Sequence, residues 1–500
     1  MRFKISNAIA DIRAPKGNSK KEKIKAKKDG ISASAKPSFE SYKYLTEKLY
    51  NEEKLPAIYF IFSRKECRKL LKYLCSEGKV LTTQKERSEI EKIIKRYKNS
   101  GIYIGESVNP HALMNGYAVH SAGLLPQQKQ LVEELFQKKL VKVVLATETL
   151  SAGINMPART TVISTPRKPT STPDGGSDHK RNLTPNEFHQ MAGRAGRRGI
   201  DKEGFCIAMS CNPTQLELYQ NLIKQPSNSL KSSFNVDYSF IANYLTEFKD
   251  DYILINTFSK SLFAHNPKGG IDESKVKELT RAYRVKKDIM NRDYYIDNNA
   301  KLTIKGHLIK NLNGYEQTPI INLVCDKVFA NLDAVQIAGV FGGLANIEYD
   351  TREENKEKAF YSGRDMDHDF FNALRKASFE IKDYEKASSA LYPDRSMTFD
   401  GDIVEHVYNW ADLNKHHGNS RSNWKEMYFG NINNFVKDEG SLFKEISSTI
   451  DLLKQMIGVA SEGEIYSDSE EDKQYYRELG KKIRVAIQLH QKEPILDDNI

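Results

Sequence analysis

Short apolar runs alternating with amphipathic stretches constrain this chain more than any other feature of its sequence. Residues 55–62 (LPAIYFIF) form a β-rich run without polar alternation, which suits a strand covered on both faces. Ser63 then opens SRKECRKLLKYLCSEG, where apolar residues recur at helical spacing and Gly78 offers a stop. A charged helical insertion at about 82–98 precedes a second strand, GYAVHSAG (116–123). PQQKQLVEELFQKKL, entered through Pro126, is a helix. VKVVLAT, TTVIST and GFCIAMS follow as strands, with the helix NEFHQMAGRAG between the last two. Strand and helix alternating with short connections predict an α/β doubly wound, mostly parallel sheet over residues 39–213. Ligands of such sheets bind outside the carboxyl ends of the strands, so the motifs are expected on that edge.

From about residue 214 the signals turn mostly helical, as in QLELYQNLIKQ, DYSFIANYLTEF and EISSTIDLLKQMIGVA. Residues 214–500 are expected to hold a winged-helix-like part and then a helical bundle. Residues 295–320 suggest a small hairpin, and SEGEIYSDSEEDK (461–473) an acidic loop. Residues 1–38 are Lys-rich and read as a basic arm, either a solvated tail or a contact to nucleic acid. The net charge of +10 favours polyanionic partners, although a Lys-rich soluble surface has the same composition. Apolar residues at 39% exclude a globally disordered chain. The five cysteines are scattered without a C-x-x-C pair, which speaks against a disulfide scaffold or zinc site and for a reducing, cytoplasmic setting. No apolar run approaches the ~20 residues that span a bilayer.

The most specific stretch runs from Gln190 to Asp201, QMAGRAGRRGID. Arg194 and Arg197, three apart, are expected on one face near a helix end, and Gly193, Gly196 and Gly199 permit close backbone approach. Guanidinium forks match phosphate oxygens and stabilise charge developing in phosphoryl transfer. A basic, Gly-rich loop packed on a helix is the alternative.

This string resembles motif VI of superfamily 2 helicases, and the strings before it match in order. Leu145–Arg159 (LATETLSAGINMPAR) resembles motif V, Tyr117–Pro126 the motif preceding it, and Pro56–Cys67 motif IV. HSAGLLP, then LVEELF, then ATETLSAGINMPART is similar to the superkiller-like branch of DExH-type RNA helicases. DNA-unwinding members often carry proline after the second motif VI arginine; Arg198 followed by GID leans to RNA. Residues 227–245 also resemble the family's entry into its helical C-terminal region. The resemblance implies a second RecA-like domain followed by that region. It implies arginine-finger roles for Arg194 and Arg197, and a contact of Gln190 with the terminal phosphate or the attacking water. Gly153 and Asn155 would face the nucleotide, and Ser63, Gly123 and Thr147 would contact the nucleic-acid backbone. Hydroxyls and bare amides at strand ends suit that last task, while helix capping is the alternative for Ser63. His120, Cys67 and Cys206 read as packed residues.

Hydrolysis of ATP also needs a phosphate-cradling loop and an acidic residue on Mg²⁺. The sequence contains no G-x-x-x-x-G-K-[ST], and no D-E-x-H or D-E-x-D follows an apolar strand. About 55 residues precede the first strand, too few for another RecA-like domain. The expectation is therefore a C-terminal helicase half that needs a partner carrying the first RecA-like domain, which would hold ATP and Mg²⁺. A non-catalytic nucleic-acid-binding remnant and an interaction scaffold are the alternatives.

Overall fold

A computed structural model describes residues 36–99, 108–151, 156–169, 180–197, 199, 201–227, 232–248, 250–266, 269–299, 301–350, 367–393, 396–417 and 439–491. The chain divides into two compact units, one of residues 1–171, 177–228 and 438–441, the other of residues 172–176, 229–437 and 442–500. The basic arm, up to residue 35, lies outside the described residues.

In the first unit, Ser38 caps α1 (Phe39–Asn51) and β1 (Ala57–Phe60) follows. Next come α2 (Arg64–Glu77), the charged insertion as α3 (Gln84–Asn99), and a short α4 (Pro110–Met114). β2 (Tyr117–His120), α5 (Pro126–Gln137), β3 (Val143–Ala146) and β4 (Thr160–Ile163) continue the alternation. A two-stranded ribbon, β5 (Arg167–Pro169) with β6 (Lys180–Asn182), precedes α6 (Pro185–Ala192). β7 (Phe205–Ala208) and α7 (Pro213–Lys224) complete the unit.

Five strands form one sheet in the order β2-β3-β1-β4-β7, every pairing parallel. Its burial explains the unbroken apolar runs. Ile58 and Phe60 of β1 join a core with Ile90 and Ile93 of α3, Leu131 of α5 and Phe188 of α6. Ala57 and Tyr59 join the opposite core with Leu45 of α1 and Leu70 of α2. A strand covered on both faces favours apolar residues at successive positions, each large one worth ~1.5–3 kcal/mol on burial. The expected α/β doubly wound parallel sheet is the fold observed. Tyr219 and Leu222 of α7 belong to this core, and the Tyr219 hydroxyl donates to the Ile163 carbonyl at 3.0 Å, so the unit extends past residue 213.

The second unit is built from α8 (Tyr238–Glu247), α9 (Asp251–Ser259), α10 (Glu273–Arg292), α11 (Ile304–Ile309), α12 (Gln317–Cys325) and α13 (Ala334–Ala345). A ribbon of β8 (Glu348–Asp350) and β9 (Ser396–Thr398), α14 (His368–Ser388), α15 (Gly401–His417), α16 (Glu439–Tyr466, in this unit from Leu442 onward) and α17 (Glu470–Gln491) follow. Every residue of α13 from Ile337 to Leu344 is buried. A Cβ on Gly343 would stand 2.4 Å from the Phe399 ring, so glycine there lets the backbone approach closely.

One expectation for this unit narrows and another changes. Residues 295–320 hold a minimal hairpin, a single antiparallel bridge from Ile296 to Leu302, and then continue into α11. Residues 461–473 are helical to Tyr466 and again from Glu470, leaving only 467–469 as a turn. The acidic run marks a helix start: the Ser469 hydroxyl accepts the Asp472 amide at 3.0 Å, and Glu470, Glu471 and Asp472 suit the positive end of the helix dipole. Among the described residues no helix is long and apolar enough to cross a membrane.

Candidate functional site

The carboxyl ends of β1, β3 and β2 are in register, Phe60 beside Ala146 and Ala146 beside His120. Ser63, Gly123 and Thr147 follow those ends and form a row about 10 Å long across three neighbouring strands, at ~4.8 Å per strand. The Ser63 hydroxyl accepts the Glu66 amide at 3.3 Å as the cap of α2, and its O–H remains able to donate. The amides expected to be bare are engaged within the fold. Gly123 donates to the Ser121 hydroxyl at 3.3 Å, and Thr147 to the His120 carbonyl at 3.2 Å. Lys129, in the first turn of α5, stands on the same edge and was passed over in the sequence, where a lysine in a helix is ordinary. Burial lowers its ammonium pKa, Glu133 pulls it back up, and the neighbouring Arg64 charge lowers it again.

His120 is a packed residue, as read: it is buried, with Nε2 3.0 Å from the Glu133 carboxylate. Burial pushes the Cys67 thiol up to about 12 and the Cys206 thiol up to about 11, so both stay neutral.

Arg194 and Arg197 do not join that row. Helix α6 stops at Ala192 with Gly193 as its cap, so neither arginine projects from a helical face. The helix runs back against the strand direction, which carries the following residues to the amino ends of β4 and β7. There Ala158 pairs with Ala195: the Ala158 amide donates to the Arg194 carbonyl at 3.0 Å and the Gly196 amide to the Ala158 carbonyl at 2.7 Å. Gly196 has φ +89°, a left-handed conformation that favours glycine, and Gly204 packs against it so closely that a Cβ there would stand 2.5 Å from the Gly196 nitrogen. The candidate residues expected along one edge therefore lie on two, about 13 Å apart across four-residue strands.

Arg197 grips Asp201 with both arms of its fork, Nε to Oδ2 at 2.7 Å and Nη2 to Oδ1 at 2.6 Å. The side chains are 12% and 5% exposed. The Arg197 hydrogen bond holds the Asp201 carboxyl below its ordinary pKa, and the charge of Arg159 acts in the same direction. The outer nitrogen Nη1 of Arg197 and Nε of Arg159 are buried without a hydrogen-bond partner among the described residues. An orphaned buried donor costs ~1–3 kcal/mol. Two of them beside one carboxylate fit an additional anion such as a nucleotide's phosphate. Arg194 is half-buried, and Gln190 is exposed in the last turn of α6. Gly153 and Asn155 lie outside the described residues.

Residues 110–199, from α4 through the arginine segment, match the family model described as the helicase conserved C-terminal domain. This chain carries a helicase C-terminal domain. It is 32% identical over 334 residues to the DExH-box ATP-dependent RNA helicase DExH15, chloroplastic, of Arabidopsis thaliana, covering 65% of this chain and 26% of that protein. It is 35% identical over 249 residues to the antiviral helicase SKI2 of Saccharomyces cerevisiae, covering 49% and 18%. It is 37% identical over 233 residues to the human superkiller complex protein 2, covering 45% and 18%. The resemblance to the C-terminal part of superkiller-like superfamily 2 helicases stands, and the matched region spans a quarter or less of those relatives in the two superkiller cases and 26% in the first.

The β5–β6 ribbon of the helicase domain went unread in the sequence, because three-residue strands are too short to display a period of two. The clue was the run of basic residues on either side of Pro173-Asp-Gly-Gly176.

Proposed function

We propose that this chain works as the second RecA-like half of an ATP-dependent RNA helicase motor. Arg194 and Arg197 act as arginine fingers toward ATP, with Gln190 beside them and Gly153 and Asn155 facing the nucleotide. Ser63, Gly123 and Thr147 mark where the nucleic-acid backbone runs. The observation that carries this reading is the motif V–VI seam, where Ala158 pairs with Ala195 through its bonds to Arg194 and Gly196 and two guanidinium donors have no partner among the described residues. RNA is favoured over DNA because the DExH-box relative is named an RNA helicase and because Arg198 replaces the proline common in DNA-unwinding members. A P-loop domain, on another polypeptide or another segment, supplies the phosphate cradle and holds Mg²⁺. A reducing, cytoplasmic setting accords with the scattered cysteines.

The test is RNA-stimulated ATP turnover by these 500 residues alone and mixed with a P-loop RecA-like domain. Expected are no turnover alone, turnover on mixing, and a loss of ~10³–10⁵ on Arg197→Ala. Turnover by the chain alone that Arg197→Ala abolishes, or restored turnover indifferent to Arg194 and Arg197, overturns the assignment. RNA binding with no turnover under any pairing leaves the non-catalytic alternative standing.

A further inference from the structure

Four charged side chains converge where α6 begins. Glu187 lies in the first turn of α6, and its carboxylate takes Arg181 Nη1 at 2.9 Å and Nη2 at 2.5 Å from β6. Lys168 of β5 reaches the same carboxylate at 2.8 Å and is only 9% exposed. Lys168 also bonds Glu148, the residue after Thr147 and the first of a short 3₁₀ turn, Glu148–Ser151. Glu187 thus touches both strands of the ribbon and, through one lysine, the end of the carboxyl-edge row. Its own helix ends at Ala192, next to the arginine segment. Burial alone would raise the Glu187 pKa, but the hydrogen bonds from Arg181 and Lys168 outweigh it and hold the carboxyl well below the usual range.

We propose that Glu187 is a positioning residue that couples the carboxyl-edge row to the arginine segment. An eight-residue helix is a rod about 12 Å long, so a shift imposed on its first turn by the ribbon base or by Glu148 arrives at its far end, where Arg194 is bonded to Ala158. The inference rests on the function proposed above, specifically on nucleic acid meeting the row at Ser63, Gly123 and Thr147.

The same carboxylate also has a purely structural task. Its Oε2 accepts the Thr184 amide at 2.8 Å, closing a capping box on α6. Glu187→Gln separates the two, because glutamine can close a capping box but carries no charge for Arg181 and Lys168. Thr184→Ala weakens the cap and keeps the carboxylate.

The experiment is amide hydrogen exchange over residues 191–197 in the full chain, with and without a single-stranded oligouridylate, alongside its binding affinity. In the unaltered chain, RNA is expected to slow exchange in this segment at least about fivefold, the low end of ordinary coupling energies. Glu187→Gln is expected to keep RNA affinity and lose most of that slowing, whereas Thr184→Ala keeps it. Full slowing in Glu187→Gln, or equal loss in Thr184→Ala, overturns the coupling role. Binding without any slowing in the unaltered chain overturns this inference alone, while no RNA binding at all overturns the function proposed above as well.

Discussion

Gly204→Ala probes the arginine seam without touching an arginine. The added Cβ would stand 2.5 Å from the Gly196 nitrogen, 2.6 Å from the Ala195 carbonyl carbon and 2.7 Å from its oxygen. Carbon contacts are comfortable near 3.5–4.0 Å, so one strand of backbone must retreat by about 1 Å. All three neighbours are backbone atoms, so no side chain can rotate out of the way. Overpacking of this kind costs about 1–3 kcal/mol, and loosening the hydrogen bonds at 2.7 and 3.0 Å between Ala158 and its partners adds about 1 kcal/mol. The sum is about 2–4 kcal/mol. At roughly 2–4 °C per kcal/mol for a domain of this size, Tm should fall by roughly 4–16 °C in a circular-dichroism melt. Gly199→Ala is the control, since φ +77° there meets nothing within 4 Å and costs only the left-handed backbone term, about 1–2 kcal/mol. With a P-loop domain added, a 1 Å misplacement of the proposed fingers should lower turnover about 100-fold. RNA affinity should change no more than about fivefold, the coupling proposed through α6, because the row of Ser63, Gly123 and Thr147 proposed to meet nucleic acid lies on the opposite edge. A Gly204→Ala chain that melts and turns over like the unaltered one would refute the packing of the seam. One that loses RNA affinity as steeply as turnover would refute the separation of the edges.

The Asp201 carboxyl titrates below its unfolded value because Arg197 holds its charged form, so its stabilisation is present above about pH 4 and is lost as pH falls through the folded pKa. Asp201→Asn should therefore lose less unfolding free energy on acidification from about pH 5 to 2 than the unaltered chain, and matching acid slopes in urea titrations would count against the pair. At Ser63 the two roles separate by chemistry: Ser63→Ala should cost about 1 kcal/mol of cap, while Ser63→Asp should keep the cap and weaken RNA binding, most at low salt. Equal RNA affinity in Ser63→Asp would remove this residue from the nucleic-acid path. Gly343→Ala forces a methyl to within 2.4 Å of Phe399 and should destabilise the second unit by about 1–3 kcal/mol in a denaturant titration, with no effect on the first.

What could be read from the sequence follows from how local each signal was. LPAIYFIF could be read as a doubly covered strand because each of its central residues carries its own evidence of burial. The helicase motifs were legible because they are contiguous strings. The ribbon was not, since three residues per strand show no period and the meeting of Lys168 with Glu187, nineteen residues on, is a contact no local window contains. The acidic run at 470–472 was misread as a loop because charge was weighed without its position behind a capping serine. The placement of the arginines failed for a different reason. Every residue was assigned to the carboxyl edge, although a helix joining parallel strands runs antiparallel to them and returns the chain to their amino ends. Applied to α6, that rule brings the arginine segment to the amino ends of the strands, where Ala195 pairs with Ala158, and parts Arg194 and Arg197 from Ser63, Gly123 and Thr147. The separation suits the proposed function. Under that proposal a nucleotide and a nucleic acid occupy one small sheet without competing for an edge, and α6, pinned at its start by Glu187 and leading to Arg194 past its end, is the element proposed to link them.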